Sequence, residues 1–386
     1  MLTIATRHAR GMHAAHVILF TALLFLVTIV IFSTTARAAI LFQYETTLEL
    51  DLGAAGRTHP THVTCEPVSG EVCVTDVRQS TFHVLNARHV QLLRTGTFAG
   101  VSWPSSGCLQ QDGTLVFTDT SDGRHHAIRR LDIFGEPAAF APEAPAAEWN
   151  PRLLTVLANG DYLSLDPGNG LLARHRSDSG ALVWSLRIGD PAARDSQFGR
   201  PAEAPDGRLY IPGGDQRKVY VVTADGLGAG DFGRFGSAPG RMVLPVGVGF
   251  GPRGTVLVLD RMRAKILVFG ADLEFQSEFG SVGARPGQFY HPADITSTAD
   301  HRIYVAQGFL GRVQVFRVID SQESAVEETA RSNAALVVDR IALGGTPGPD
   351  RAAMRSPGLR TNGSGFEPLV AASSAADRSL NLEAEQ

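Results

Sequence analysis

The chain has 386 residues, 44% of them hydrophobic and 19% charged, with 41 glycines, 21 prolines and a net charge of −4. This is the composition of a turn-rich globular protein, long enough for one large domain or two small ones, and not of a wholly disordered chain. No basic excess points to nucleic acid, so no DNA is expected as a partner, although the balance is compatible with a local basic face.

The first element in chain order is a targeting segment. Arg7 and Arg10 precede the apolar run VILFTALLFLVTIVIF at 17–32, and Ala36-Arg37-Ala38 then fits the small-x-small cleavage pattern before Ala39. The run has 16 residues, short of the roughly 20 that a membrane span needs. A signal peptide over 1–38 is therefore expected, with an uncleaved membrane anchor through 17–32 as the alternative. No cysteine follows the run to carry a lipid. Either way the folded part is expected outside the cytoplasm, periplasmic or extracellular. The three cysteines, Cys65, Cys73 and Cys108, could form a disulfide there, but an odd count leaves at least one free. No Cys-x-x-Cys pair supports a zinc or redox motif.

A repeat follows. Six short apolar runs end alike: VCVTD (72–76), LVFTD (115–119), YLSLD (162–166), LYIPG (209–213), VLVLD (256–260) and IYVAQ (303–307). Their last residues are spaced by 43 and then four times by 47. Pro60, Pro104, Pro151, Pro201, Pro245 and Pro292 each precede one run, and Pro201 stands closest to its own, which predicts a clipped strand there. Between proline and run end lie Ser69-Gly70, Asp112-Gly113, Asn159-Gly160, Asp206-Gly207, Arg253-Gly254 and Asp300-His301. Asn-Gly and Asp-Gly favour two-residue hairpin turns because glycine takes positive φ at low cost. Each unit thus reads as strand, tight turn, strand. Third strands follow at KVYVV (218–222), KILVF (265–269) and RVQVF (312–316), and fourth strands at VWSLRIG (183–189) and EFQSEFG (274–280).

Six such units and no helical periodicity predict an all-β fold: a six-bladed β-propeller of four-stranded antiparallel blades. The sixth unit lacks a fourth strand after RVQVFRV, and TTLELDLG (46–53) is available before the first. The N-terminal strand is therefore expected to complete the last blade and close the ring, which removes an open edge. The propeller is assigned to 39–320. From Ser321 to Gln386 the composition shifts to Ala, Ser, Gly, Arg, Glu and Pro, a mostly disordered tail with one apolar patch, ALVVDRIAL (335–343).

With these units in view the sequence resembles the NHL repeat family. The sixth, PGQFYHPADITSTADHRIYVAQGFLGRVQVFRV, matches best, the fifth and first also fit, and the second to fourth rest on spacing. The resemblance covers about residues 46–320. It implies a channelled disc whose faces bind proteins, RNA or polyanions, with a minority of related propellers acting as metal-dependent lactonases or lyases. One propeller scaffold hosts many activities.

Candidate chemistry divides by position. His59 and His291 precede the blade-opening prolines and could share a zinc ion. The equivalent residues, however, are Trp103, Asn150, Arg200 and Leu244; only Asn150 is a conceivable ligand, and Arg200 would repel a cation. Nearby His62 adds little. Asp76, Asp119, Asp166 and Asp260 end second strands. A carboxylate ring could suggest calcium, but repetition from blade to blade predicts a structural role, with each Asp accepting from the next turn's N–H groups.

Basic residues gather in the loops between second and third strands: Arg124, Arg217, Lys218, Arg261, Arg263, Lys265 and Arg312. One face carrying them could bind an anionic protein segment or polysaccharide; the simpler expectation is a solvated face. No exposed aromatic ladder is read with them, which weakens a single-stranded nucleic-acid reading. A two-residue turn at Ser69-Gly70 pairs residue 65 with 74, so Cys65 and Cys73 point to opposite faces and a hairpin disulfide is not expected; a Cys65–Cys108 bridge stays open. Neither a Cys/His/Asn set nor G-x-S-x-G supports a nucleophilic hydrolase. The first expectation is an exported, monomeric binding or scaffolding module without cofactor. The alternatives are a periplasmic lactonase or lyase using zinc or calcium, and a structural envelope component held by an uncleaved anchor.

Overall fold

Short runs of β-branched and aromatic residues, each broken by glycine or a polar turn after four to six positions, form antiparallel strands almost throughout. The computed structural model describes residues 39–50, 57–120, 122–189 and 197–321. The predicted leader (1–38) and the tail beyond 321, with its apolar patch, lie outside the described residues.

Six four-stranded sheets follow one another. Blade one comprises Pro60–Cys65, Val72–Asp76, Thr81–Leu85 and Gln91–Thr95. Blade two comprises Ser106–Leu109, Leu115–Asp119, Ala127–Leu131 and Pro137–Ala138. Leu153–Val156, Tyr162–Asp166, Leu171–His175 and Leu182–Arg187 make blade three. Blade four opens on the clipped strand Ala202–Glu203 and continues with Leu209–Gly213, Lys218–Val222 and Gly228–Phe232. Blade five is Pro245–Phe250, Val256–Asp260, Lys265–Phe269 and Phe275–Phe279. Blade six is Asp294–Ser297, Arg302–Gln307 and Arg312–Asp320, completed by the N-terminal strand Ile40–Leu48.

That closing strand lies upstream of the predicted 46–53. The third strand of blade six runs for nine residues and offers a longer edge than RVQVF alone, so pairing extends from Leu48↔Val313 back to Ile40↔Asp320. The register shifts between Tyr44 and Thr46. Glu45, at this bulge, accepts from Arg302 and Arg317, each at 2.8 Å. Phe42 stacks on Phe279 of blade five with ring centroids 4.5 Å apart, so the closing strand also ties blade six to its neighbour.

The hairpins differ from expectation in one detail. In blade two Gln110 N donates to the Thr114 carbonyl and Gly113 N to the Gln110 carbonyl. This is a three-residue loop with the glycine at its bulge position, φ 80°. Blades three, four and six repeat it, and in blade six His301 fills the glycine position at φ 63°. A left-handed conformation costs a residue with a Cβ about 1–2 kcal/mol. His301→Gly is therefore expected to raise stability by about 1 kcal/mol, read as a higher urea midpoint. An unchanged or lower midpoint would mean that packing of the imidazole offsets the strain.

Blade-to-blade packing has two layers. Between neighbouring sheets lie apolar clusters such as Leu257, Leu259, Ile266 and Val268 of blade five against Ile295, Ile303, Val305 and Phe316 of blade six. Burying each such side chain contributes roughly 1.5–3 kcal/mol. Nearer the axis, the first strand of each blade carries small or hydroxyl residues. Thr64 Oγ1 donates to the Gly107 carbonyl at 2.8 Å, Leu154 N to Ser106 Oγ at 3.2 Å, and Phe250 N to Ser297 Oγ at 2.9 Å. Small side chains are needed there because six strands converge on one channel.

Candidate functional site

The strand-end carboxylates hold the blade together. Asp260 accepts from Val243, Leu244, Met262 and Arg263 N, joining its own turn to the segment that opens the blade. Asp166 does the same with Asn150 and Asn169 N, whereas Asp76 accepts from Arg78 and Gln79 N of its own turn and Asp119 from Ser102 N of the opening segment. Backbone N–H groups are donors to all four, which is the structural role that their repetition predicts.

The six residues before the blade-opening prolines part company. Arg200 alone turns into the channel, where its side chain is 3% exposed. Its Nε donates to Asp294 Oδ2 at 2.8 Å, Nη1 to Thr155 Oγ1 at 3.1 Å, and Nη2 to the Ile295 carbonyl at 2.8 Å. Asp294, 1% exposed, also accepts from Val63 N at 3.1 Å. Inner strands of blades one, three, four and six are thereby tied across the axis by one buried ion pair. Asn150 is occupied at the rim, its Oδ1 accepting from His126 N at 2.7 Å.

His59 and His291 stay on the face. Both rings pack on Phe309, at centroid distances of 5.7 and 5.2 Å, and Tyr290 adds a third contact at 6.2 Å. Gly308 permits this, because a Cβ there would lie 2.7 Å from His59 Nε2. Both histidines are thus engaged in ring contacts with Phe309. Among the described residues no three His, Cys, Asp or Glu side chains group to hold a metal.

Phe309 belongs to a wider set. Phe98, Trp103, Phe235, Met262, Tyr290 and Phe309 are all exposed. All lie either between second and third strands or between one blade's fourth strand and the next blade's first. Alternating strand directions bring these two kinds of loop to one face, here called the loop face. The opposite face shows Val68, Val90, Ile133, Phe134 and Leu227, scattered on separate hairpins.

The predicted basic residues lie on the loop face, but most are engaged. Lys218 pairs with Asp231 at 2.8 Å. Arg263 and Lys265 share Glu278. Arg312 donates to the Ala284 and Gln288 carbonyls. Arg217 lies over the Phe235 ring, 4.5 Å from its centroid, and Arg124 is exposed. Arg261 is half-buried, with Nε bonded to the Pro292 carbonyl at 3.0 Å.

On the loop-face side of the axial ion pair the channel opens as a cavity of about 390 Å³, lined by Thr61, His62, Ser105, Arg152, Arg261 and the apolar Leu153 and Phe198 among others. Burial and the nearby Arg200 and Arg261 hold His62 below its ordinary value, against the pull of Asp294. Burial likewise lowers Arg261. Sequence alone does not single out Arg152 and gives His62 little weight. The signal was present: the residues just after the blade-opening prolines include Thr61, Ser105 and Arg152, and they point into the channel mouth. On the far side a second cavity, about 290 Å³, is lined by Cys65, Thr155, Ala202, Glu203, Thr296 and His301 among others.

All three cysteines are free. Blade one pairs Cys65 with Val72 and Thr64 with Cys73, because its loop is two residues longer than the predicted turn. The two thiols still face opposite ways. Burial pushes Cys65 and Cys108 up to about 12, so neither supplies a thiolate at neutral pH.

No family model matches the chain, and no curated protein matches it. Solved structures share its fold. A streptogramin B lyase aligns at 14% identity over 72% of this chain and 98% of its own, with a TM-score of 0.50. A gluconolactonase from Xanthomonas campestris aligns at 14% identity over 74% and 90%, with a TM-score of 0.50. An auxiliary nutrient binding protein from Bacteroides thetaiotaomicron aligns at 11% identity over 73% and 77%, with a TM-score of 0.54. At such identities the likeness is one of fold, a six-bladed propeller that serves enzymes and binding proteins alike.

Proposed function

We propose that this chain is an exported, NHL-type propeller that works as a binding module, docking a protein or anionic polymer on its loop face. The observation that carries the reading is the cluster of rings on the loop face, exposed Phe309, Tyr290 and His291 with half-buried His59. Aromatic side chains and arginine are the residue types that supply most binding energy at interfaces. The nutrient-binding neighbour supports such a role for the fold. The lyase and lactonase neighbours keep a metal-dependent enzyme as the competing reading, but the axial position here is filled by Arg200, a cation.

Affinity capture from the cell-envelope fraction tests the proposal. The double substitution Tyr290→Ser and Phe309→Ser is expected to cut recovery of the captured partner at least tenfold. Lys218→Ala with Lys265→Ala is expected to leave it unchanged, since both lysines are already ion-paired. Equal recovery with all variants would exclude the loop face. Stoichiometric zinc or calcium in the purified protein, lost on replacing His59 and His291 by alanine, would overturn the binding reading.

A further inference from the structure

We propose that the cavity at the loop-face mouth of the channel binds a small organic carboxylate, held by Arg261 and Arg152 with its apolar body against Leu153, Pro167 and Phe198. This site is separate from the aromatic patch that carries the docking proposal, and it stands if that proposal falls.

The donor set is the first argument. Arg261 uses only Nε on the protein, so its two terminal nitrogens have no partner among the described residues. Arg152 reaches the same cavity exposed, and its guanidinium is also unpaired among the described residues. His62 lines the wall beside them, next to the Ser105 backbone. None of the described lining residues is a carboxylate, and nearby Asp294 is already paired with Arg200 at 2.8 Å. Two arginines and an imidazole thus line one concave space with no unpaired acid among the described residues lining it. Buried or half-buried polar groups without partners are costly, and a guanidinium fork fits a carboxylate with two parallel bonds.

The walls narrow the class further. Val77, Pro104, Leu153, Pro167 and Phe198 make much of the lining apolar. An inorganic oxyanion would satisfy the arginines but leave that surface wet. A carboxylate on a short alkyl chain or an aromatic ring satisfies both. The volume, about 390 Å³, suits a compact ligand, at the low end of the range for small-molecule sites.

Titration calorimetry on the full folded chain tests this with hexanoate and benzoate, their uncharged amides, and inorganic phosphate. Both acids are expected to bind at least tenfold more tightly than hexanamide, benzamide or phosphate. Arg261→Gln and Arg152→Gln are each expected to weaken acid binding tenfold or more. Arg152 is exposed, so its substitution leaves folding undisturbed even if Arg261→Gln does not. Amides binding as well as acids, phosphate binding as well as benzoate, undiminished binding in Arg152→Gln, or no heat from either acid would each overturn the assignment.

Discussion

Replacing Arg200 by methionine is expected to destabilise the propeller by about 3–5 kcal/mol, the usual cost of removing one partner from a buried ion pair. Methionine keeps much of the volume, so the loss is electrostatic more than steric. Asp294 would be left in the channel with Val63 N and its own neighbour Ile295 N as donors. Three further acceptors, Thr155 Oγ1 and the Pro201 and Ile295 carbonyls, would lose the guanidinium that now reaches them. The double variant Arg200→Met, Asp294→Leu removes the stranded charge and should recover most of the loss, because an apolar pair of similar size often replaces a buried ion pair without penalty. Urea unfolding at pH 7 measures both. A single variant within 1 kcal/mol of the wild type would mean that the pair does not brace the channel.

How far the sequence carried this result depends on what kind of information each feature needs. Strand ends at 76, 119, 166, 213, 260 and 307 are local: a run of β-formers closed by a turn residue, repeated at nearly constant spacing. The structure places all six second strands there. The hairpin glycines were also legible, although dipeptide chemistry alone did not separate a two-residue turn from a three-residue loop with a bulge. Asp260 and its equivalents could be read as structural because their repetition matched the repetition of the turns. The closing strand was legible as a need and misplaced in register, since its position is set by Arg302, Arg317 and Phe279, far away in sequence.

The site is where local reading ran out. Six pre-proline residues look equivalent along the chain. Yet Arg200 enters the axis, His59 and His291 lean on Phe309, and Trp103 stands in solvent. The difference lies partly in the backbone: Trp103 and His291 take positive φ, at 48° and 46°, which swings their side chains out to the rim. Charge misled in the same way. Lys218, Arg263 and Lys265 stand in a basic series by position, whereas the strand paired beside them brings Asp231 and Glu278 to cancel it. The cations without an acidic partner among the described residues at the channel, Arg152 and Arg261, come from different blades, and only ring closure brings them together.

A second large effect is expected from acid. His175, on the third strand of blade three, is fully buried. Its ring stacks on Tyr162 at 5.1 Å and packs on Trp149 at 5.4 Å, and Nε2 meets Ser164 Oγ at 2.9 Å. Burial among these rings holds the imidazole at about 4, outweighing the upward pull of the Gly180 backbone and Glu143. In the unfolded chain it takes up a proton near 6.5. Between those two values the unfolded state binds the extra proton, so stability is full above about pH 7, falls as the pH drops through 6.5, and levels off below 4. A difference of this size is worth about 3 kcal/mol. His62, His89 and His126 are shifted the same way and steepen the fall, whereas Glu45, Glu278 and Asp300 act at lower pH. Comparison with His175→Gln separates the contributions. Glutamine keeps a partner for Ser164 and cannot titrate. The stability gap between wild type and variant should narrow by about 3 kcal/mol from pH 7.5 to 4, followed by urea unfolding at each pH. A gap that stays constant across that range would mean that His175 carries its proton in the folded state, and that Tyr162 and Trp149 do not exclude water from it.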